Sequence, residues 1–306
     1  MTENTIHQDD FQLVGLKEDQ TDILSQKSVS FIEGVWRSFI KNKLATFGLV
    51  ILFFIIFFAI FVPILSPYHY SEQTGHFNQP PSTNFWFGTD NLGRDIFVRC
   101  WIGARISLFV GFTAAIINVI VGVIYGSIAG LMGGKVDNVM MRIVDILNAI
   151  PYLLVVILLL VVMDQGLVPM ILALSLTGWL RMARIVRAEV MSLKNEEYVL
   201  AARTLGAPVS HLLRRHLIPN AMGSIIVTMT LQIPAAIFDE AFLSFVGLGI
   251  TPPLASWGTM ASEGAKAILT APWRLIFPAL LISLTIFAFN AVGDGLRDAL
   301  DPKLRG

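Results

Sequence analysis

"EEYVLAARTLGAPVSHLLRRHLIPN", residues 196–220, is a polar island in an oily chain. It carries two glutamates, three arginines, a Gly and two prolines, and long apolar runs flank it on both sides. Such an island between hydrocarbon-length segments implies a chain that crosses a membrane repeatedly and folds an element outside the lipid here. Residues 196–205 read as a short helix. Asn195 is placed to cap it, and Glu196 and Glu197 fall in its first turn, where the helix dipole favours acids. Ala201 and Ala202 give it a smooth face that another surface can approach. Gly206 supplies a C-terminal stop and Pro208 prevents continuation. A second short helix through "SHLLRRHL" is expected to end near Pro219, with Asn220 capping the next segment. The whole reads as a rigid helix–turn–helix that docks a partner, or else as a polar connector without one.

The composition agrees with a membrane chain. Of 306 residues, 55% are hydrophobic and 14% charged, against about 25% charged in soluble domains. Net charge is zero, so no global field recruits nucleic acid. The one cysteine, Cys100, allows no internal disulfide. Residues 1–30 hold six acids against Lys17 and Lys27, with no basic region ahead of a short apolar core, and are expected to form a cytoplasmic tail rather than a cleaved leader. Ser30 and Glu33 fit a capping box. It opens an amphipathic interfacial helix over 31–43, with Phe31, Ile32, Val35, Trp36, Phe39 and Ile40 at helical spacing.

The fold class is all-α membrane protein with six transmembrane helices. The spans are placed at about 44–65, 106–131, 143–163, 167–180, 221–246 and 275–292. The domain reading follows: tail 1–30, interfacial helix 31–43, first span 44–65, extracytoplasmic loop 66–101, and a five-helix core 102–298. The core contains the cytoplasmic helical element at 195–218, and a cytoplasmic C-terminus at 299–306 closes the chain. With the N-terminus inside, the outer segments hold only Arg94, Arg99, Arg105, Lys266 and Arg274 of the 22 Lys and Arg, which places both termini in the cytoplasm. In the second span Gly122, Gly126 and Gly130 form a small-residue ridge for close helix approach. Whether the helix it meets belongs to this chain is left open.

No catalytic, cofactor or metal set appears. HExxH and GxSxG are absent, and the histidines have no ligand spacing. "GLMGGKVD" has Gly134-Lys135, but Val136 replaces the Ser or Thr of a phosphate loop. The chain is therefore expected to bind no nucleotide itself. Asp239-Glu240, in the outer half of the fifth span, is a rare intramembrane acidic pair. It reads as a wall of a translocation cavity meeting a cationic group, or as a hydrated pair at the outer interface.

The residues 201–219 resemble the cytoplasmic docking motif of permease subunits in binding-protein-dependent ABC importers, which reads Glu-Ala-Ala, three residues, Gly, nine residues, Ile-x-Leu-Pro. Ala201, Ala202, Gly206 and Pro219 match, while Leu200, His216 and Ile218 depart from it. "FGTDNLGRDIFVR", "GARISL", "GGKVDNVMMRIVDIL", "WLRMARIVRAEV", "AFLSFVGLG", "PLASWGTM" and "GDGLRDALDPKLR" are similar to the C-type permease subunit of oligopeptide and dipeptide importers, collinear over about 30–306.

That resemblance implies a type I ABC importer permease in the bacterial plasma membrane, with no enzyme activity of its own. It would pair with a homologous second permease about a pseudo-two-fold axis. Two cytoplasmic ATPase subunits, which carry the ATP and Mg, would each take one docking helix, and an extracytoplasmic binding protein would deliver peptide. Glu197, Ala201, Ala202, Arg203 and Gly206 would form the ATPase docking surface. Asp239 and Glu240 are cavity candidates; Asp90, Gly93, Arg94 and Trp257 are candidate extracytoplasmic contacts. Two alternatives stay open: a permease for nickel or another small solute, and a channel or secondary transporter that needs no ATPase.

Overall fold

The computed structural model describes residues 31–300. The expected tail, the Ser30 half of the capping box and residues 301–306 lie outside the described residues. Every regular element among the described residues is helical: α1 (Phe31–Lys41), α2 (Lys43–Leu65), α3 (Ile96–Met132), α4 (Gly134–Ala149), α5 (Tyr152–Met163), α6 (Leu167–Leu193), α7 (Glu197–Thr204), α8 (Val209–His211), a π turn at Leu212–Leu217, α9 (Ile218–Phe245), α10 (Trp257–Ala265) and α11 (Trp273–Leu300). Five segments are long and apolar enough to cross a membrane: α2, α3, α6, the run Val209–Phe245, and α11. The pair α4 and α5, bent by 80°, would make a sixth span if taken as one.

The helices run further than the apolar pattern predicts, and the polar residues near their ends show why. The second span is expected from 106, yet α3 begins at Ile96. Asp95 caps it, accepting from the Phe97 and Val98 N–H groups at 3.2 and 3.3 Å. The arginines that read as loop are held: Arg99 sits 3.5 Å from Asp90, and Arg105 donates to the Ala59 and Ile60 carbonyls at 2.6 and 2.8 Å. At 37 residues, α3 is about 55 Å long, well beyond a 30 Å hydrocarbon core. The expected third span is broken instead, because Pro151 forces Ile150 out of helical geometry (ψ 127°). Beyond the expected end at 180, α6 continues to Leu193, its arginines being paired outside it with Asp145 and Asp137. The last helix likewise reaches Leu300 rather than 292.

Pro219 does not end a helix. The π turn ahead of it shifts the register, with Ile218 N–H bonding the Leu213 carbonyl, so that α8 and α9 join into one continuous run. Asn220 is accordingly no cap; its amide donates back to the His216 carbonyl within that run at 2.6 Å. The expected helix–turn–helix is a short helix followed by the root of a long one.

α3 is the central post, packing on α2, α6, α9 and α10. The small-residue ridge meets α6 of the same chain. A Cβ on Gly122 would lie 2.5 Å from Met182 Cβ, one on Gly126 would strike the Ala183 carbonyl oxygen, and one on Gly130 would lie 2.8 Å from the Arg187 oxygen. On the other side α2 buries Ala45, Gly48, Leu52, Ile55 and Ala59 towards α11 and the cluster around Ala288 and Val292. Its phenylalanines at 47, 53, 54, 57 and 61 stay exposed, as lipid-facing side chains would. Asn42 caps α2 through the Leu44 and Ala45 N–H groups, both at 3.1 Å, and reaches Asp298 of α11 at 3.3 Å.

Candidate functional site

The helix α7 hangs from the end of α6 on a short, fully bonded link. Lys194 closes α6 with its N–H on the Val190 carbonyl and ties its ammonium to the Gly130 carbonyl of α3 at 2.9 Å. Glu196, rather than the expected Asn195, stands at the N-cap and makes no side-chain cap bond; Asn195 turns back to the Met191 carbonyl at 3.4 Å. At the other end Gly206 takes φ +82°, Gly206 N–H bonds the Arg203 carbonyl at 3.0 Å and Ala207 N–H the Ala202 carbonyl at 3.1 Å. Those two bonds are a Schellman stop, and only glycine adopts its left-handed position without strain.

One face of α7 is anchored. Val199 is fully buried among Met182, Val186, Leu212 and Leu217, with Ala202 and Ala207 packed against the same cluster. The opposite face is open: Glu197, Ala201 and Arg203 are exposed, as are Tyr198, Leu200, Leu205 and Val209. Ala202 thus points partly inward, while Leu205, 88% exposed, is the apolar tip that the sequence reading passed over.

Between α6 and α9 lies a half-open cavity of about 410 Å³. Asn118 of α3, Asn148 of α4, Arg181 and Arg184 of α6, and Gln232 and Asp239 of α9 are among the residues lining it. Asp239 and Glu240 part company here. Asp239 lines the cavity; Glu240 does not, and is fully buried towards α3 and α10. Its carboxylate accepts from Ser107 (3.1 Å), Ser244 (2.9 Å) and Ser256 (2.5 Å). Glu240 therefore joins α3, α9 and α10 and is not a cavity wall.

The four candidate outer contacts are also interior. Trp257 is fully buried, donating to the Cys100 carbonyl at 2.8 Å. Asp90 and Arg94 pair at 2.7 Å within a buried turn that includes Gly93 (φ +74°). Arg274 then ties that turn to α11 through Asn78 and Asn91 at 3.1 and 3.0 Å. In this chain they hold the cap over the helix ends together and offer no surface; the nearby exposed side chains are Asn91 and Leu92.

α7 is thus a short helix closed by Gly206, anchored on one face, open on the other and presented at the end of α6. The family model described as "binding-protein-dependent transport system inner membrane component" matches residues 122–306, the stretch that contains α6, α7, α9 and α11. The chain belongs to that family. A second model, "N-terminal TM domain of oligopeptide transport permease C", matches residues 30–81 of this permease. It is 59% identical over 283 residues to the oligopeptide transport system permease protein OppC of Bacillus subtilis, covering 92% of this chain and 93% of that one. To the dipeptide transport system permease protein DppC of the same organism it is 54% identical over 304 residues, covering 99% and 95%. To OppC of Escherichia coli K12 it is 43% identical over 291 residues, covering 94% and 96%. The permease is a multi-pass protein of the plasma membrane.

Two features of this permease were not singled out from sequence. Asp137, at the start of α4, receives both the Nε and Nη2 groups of Arg187, the latter at 2.5 Å. This bidentate pair fastens α4 to the last turns of α6, just ahead of α7. Glu189 of α6 accepts from Ser224 of α9, joining the two helices that bracket α7. Acids spaced 50 and 35 residues from their partners carry no local signal, so only the fold reveals them.

Proposed function

We propose that this permease forms half of the translocation pathway of an ATP-driven importer of oligopeptides or dipeptides. Both termini face the cytoplasm, α4 and α5 together make one of six spans, and α7 docks a cytoplasmic ATPase subunit. Positive residues concentrate on the segments assigned to the inside, and α7 lies there with them. The second half of the pathway is a homologous permease, ATP and Mg reside on the two ATPase subunits, and an extracytoplasmic binding protein hands over the peptide. The observation that carries this reading is α7 itself: anchored through Val199, stopped by Gly206, and open along Glu197, Leu200, Ala201, Arg203 and Leu205.

Mechanically the proposal is simple. α7 is short, closed at its C-terminal end by two backbone hydrogen bonds and fixed to α6 and α9 through one apolar cluster. A push on it therefore moves those helices instead of bending a loop, and those helices line the cavity. The bidentate pair Asp137–Arg187 carries the same displacement to α4. The kinship with OppC and DppC favours peptides over nickel as cargo.

The test is reconstitution. Proteoliposomes containing both permeases, the ATPases and the binding protein should accumulate tri- and tetrapeptides only with ATP, and nickel should not compete. Peptide flux through this chain alone, down a gradient and without ATPase, would overturn the reading in favour of a channel or secondary transporter.

A further inference from the structure

The cavity between α6 and α9 is lined by two buried amides, Gln232 and Asn118, that carry polar atoms without a partner among the described residues. Gln232 is 8% exposed, and neither its Nε2 nor its Oε1 has a hydrogen-bond partner among the described residues. Asn118 is 4% exposed and its Oδ1 is equally unpartnered. Leaving a buried polar group unpaired costs about 1–3 kcal/mol, so two such amides on one cavity wall mark a place where a ligand completes the bonding. Gly178 makes room for one of them: a Cβ there would collide with the Asn118 side chain.

Charge is arranged along the same wall. The helices α6 and α9 run antiparallel, since Val186 and Val190 cluster with Ala221 and Ile225, while Met170 and Leu174 cluster with Ala236 and Leu243. This pairing puts Gln232 at about the level of Gly178, beside Asn118. It puts Asp239 towards the start of α6 and Arg181 towards its end. Asp239 is half-buried and has no hydrogen-bond or ion-pair partner among the described residues; Arg181 has no ion-pair partner there either. Arg184, one turn on, is engaged by Asp145 at 2.9 Å. The axial offset from Asp239 to Arg181 is about ten residues of helix, or roughly 15 Å.

We propose that this wall is a subsite for the main chain of a short zwitterionic peptide. The ammonium end faces Asp239, the carboxylate faces Arg181, and the Asn118 and Gln232 amides turn into the cavity to bond the peptide groups between. A donor–acceptor amide matches a peptide group whatever its side chain, which gives binding without sequence selection. Extended chain covers about 3.3–3.6 Å per residue; with the reach of the two charged side chains subtracted, the offset suits roughly two to four residues. The 410 Å³ volume lies in the range of small-ligand pockets, about 300–1,000 Å³. In the proposed orientation the peptide moves inward carboxylate first. The inference rests on the peptide-importer reading and adds to it a recognition step inside the membrane, after the binding protein has let go.

The test uses the complete reconstituted importer with trialanine, its C-terminal amide and its N-acetyl form. Each transport rate is normalised by that peptide's affinity for the binding protein, measured separately. Wild type should favour the free peptide over both blocked forms. Arg181→Gln should lose about tenfold in kcat/KM for the free acid, the worth of one charge-assisted hydrogen bond, while leaving the amide nearly unchanged; Arg181→Lys should keep the preference. Asp239→Asn should lose about tenfold for the peptide with a free N-terminus while leaving the N-acetyl form nearly unchanged, and Gln232→Leu should slow all three peptides alike. Co-purification of all subunits shows that each variant assembles, and the Arg181 and Asp239 arms decide the matter if Gln232→Leu does not. Unchanged discrimination in Arg181→Gln and Asp239→Asn would overturn the subsite while leaving the importer intact. A wild-type assembly that moves no peptide at all would instead overturn the parent reading.

Discussion

Gly126→Ala is the substitution for which helix propensity and packing predict opposite signs. Propensity alone favours alanine in a helix interior by about 0.5–1 kcal/mol. The structure opposes it. The added Cβ would strike the Ala183 carbonyl oxygen and come within 3.0 Å of the Arg187 nitrogen and 3.1 Å of the Ala183 carbonyl carbon. All three are backbone atoms of α6, so no side chain can turn away; the two longest-shared helices must separate. Overpacking of this kind costs about 1–3 kcal/mol, leaving a net destabilisation of about 1–2 kcal/mol. Gly34 is the internal control: a Cβ there meets nothing within 4 Å, so Gly34→Ala should stabilise by the propensity term alone. Unfolding midpoints in mixed micelles titrated with SDS, followed by helix circular dichroism, should therefore move in opposite directions for the two variants. Equal shifts of the same sign would show that α3 and α6 do not approach as described.

Further outcomes follow from other contacts. Glu240→Leu strips the acceptor from Ser107, Ser244 and Ser256 and should destabilise by about 3 kcal/mol, with Glu240→Gln clearly milder, read from the same SDS titration. Leu205→Asp, on an 88% exposed side chain, should leave stability within about 0.5 kcal/mol yet abolish co-purification of the ATPase subunits; retained co-purification would count against α7 as the dock. Gly206→Ala, at φ +82°, should cost about 1–2 kcal/mol locally and raise hydrogen exchange across Ala202–Ala207 without affecting α3. Asp137→Asn should free the foot of α4, seen as faster proteolysis near 133–140, and Arg187→Lys should not restore protection because the bidentate geometry is lost.

How far the sequence reached depended on whether a signal was local. The apolar runs announced the helices, and Gly206 with Pro208 announced where α7 stops, because a left-handed glycine and a proline act on their own neighbours. The ridge Gly122, Gly126 and Gly130 was readable as a close contact, but its partner Ala183 lies more than fifty residues away and only folding brings it there. Arginines misled the boundaries. Arg99 and Arg105 read as loop because their partners, Asp90 and the α2 carbonyls, were out of sequence view. Pro151 broke a helix and Pro219 did not, since a π turn stood ready to absorb the second. Asp239 and Glu240 are adjacent in sequence yet face different sides of α9, one towards the cavity and one into a cage of serines. Adjacent helical residues diverge by about 100°, so the pair was always two residues with two environments.

The central claim, that α7 is an inner-face lever loaded by a soluble motor, can be tested with one thiol. Cys100 is the chain's single cysteine and is buried, so Leu205→Cys carries one accessible thiol. In intact cells an impermeant maleimide should leave it unlabelled; in inverted vesicles it should react, and added ATPase subunits should protect it. Labelling of Leu205→Cys from outside intact cells would contradict the account.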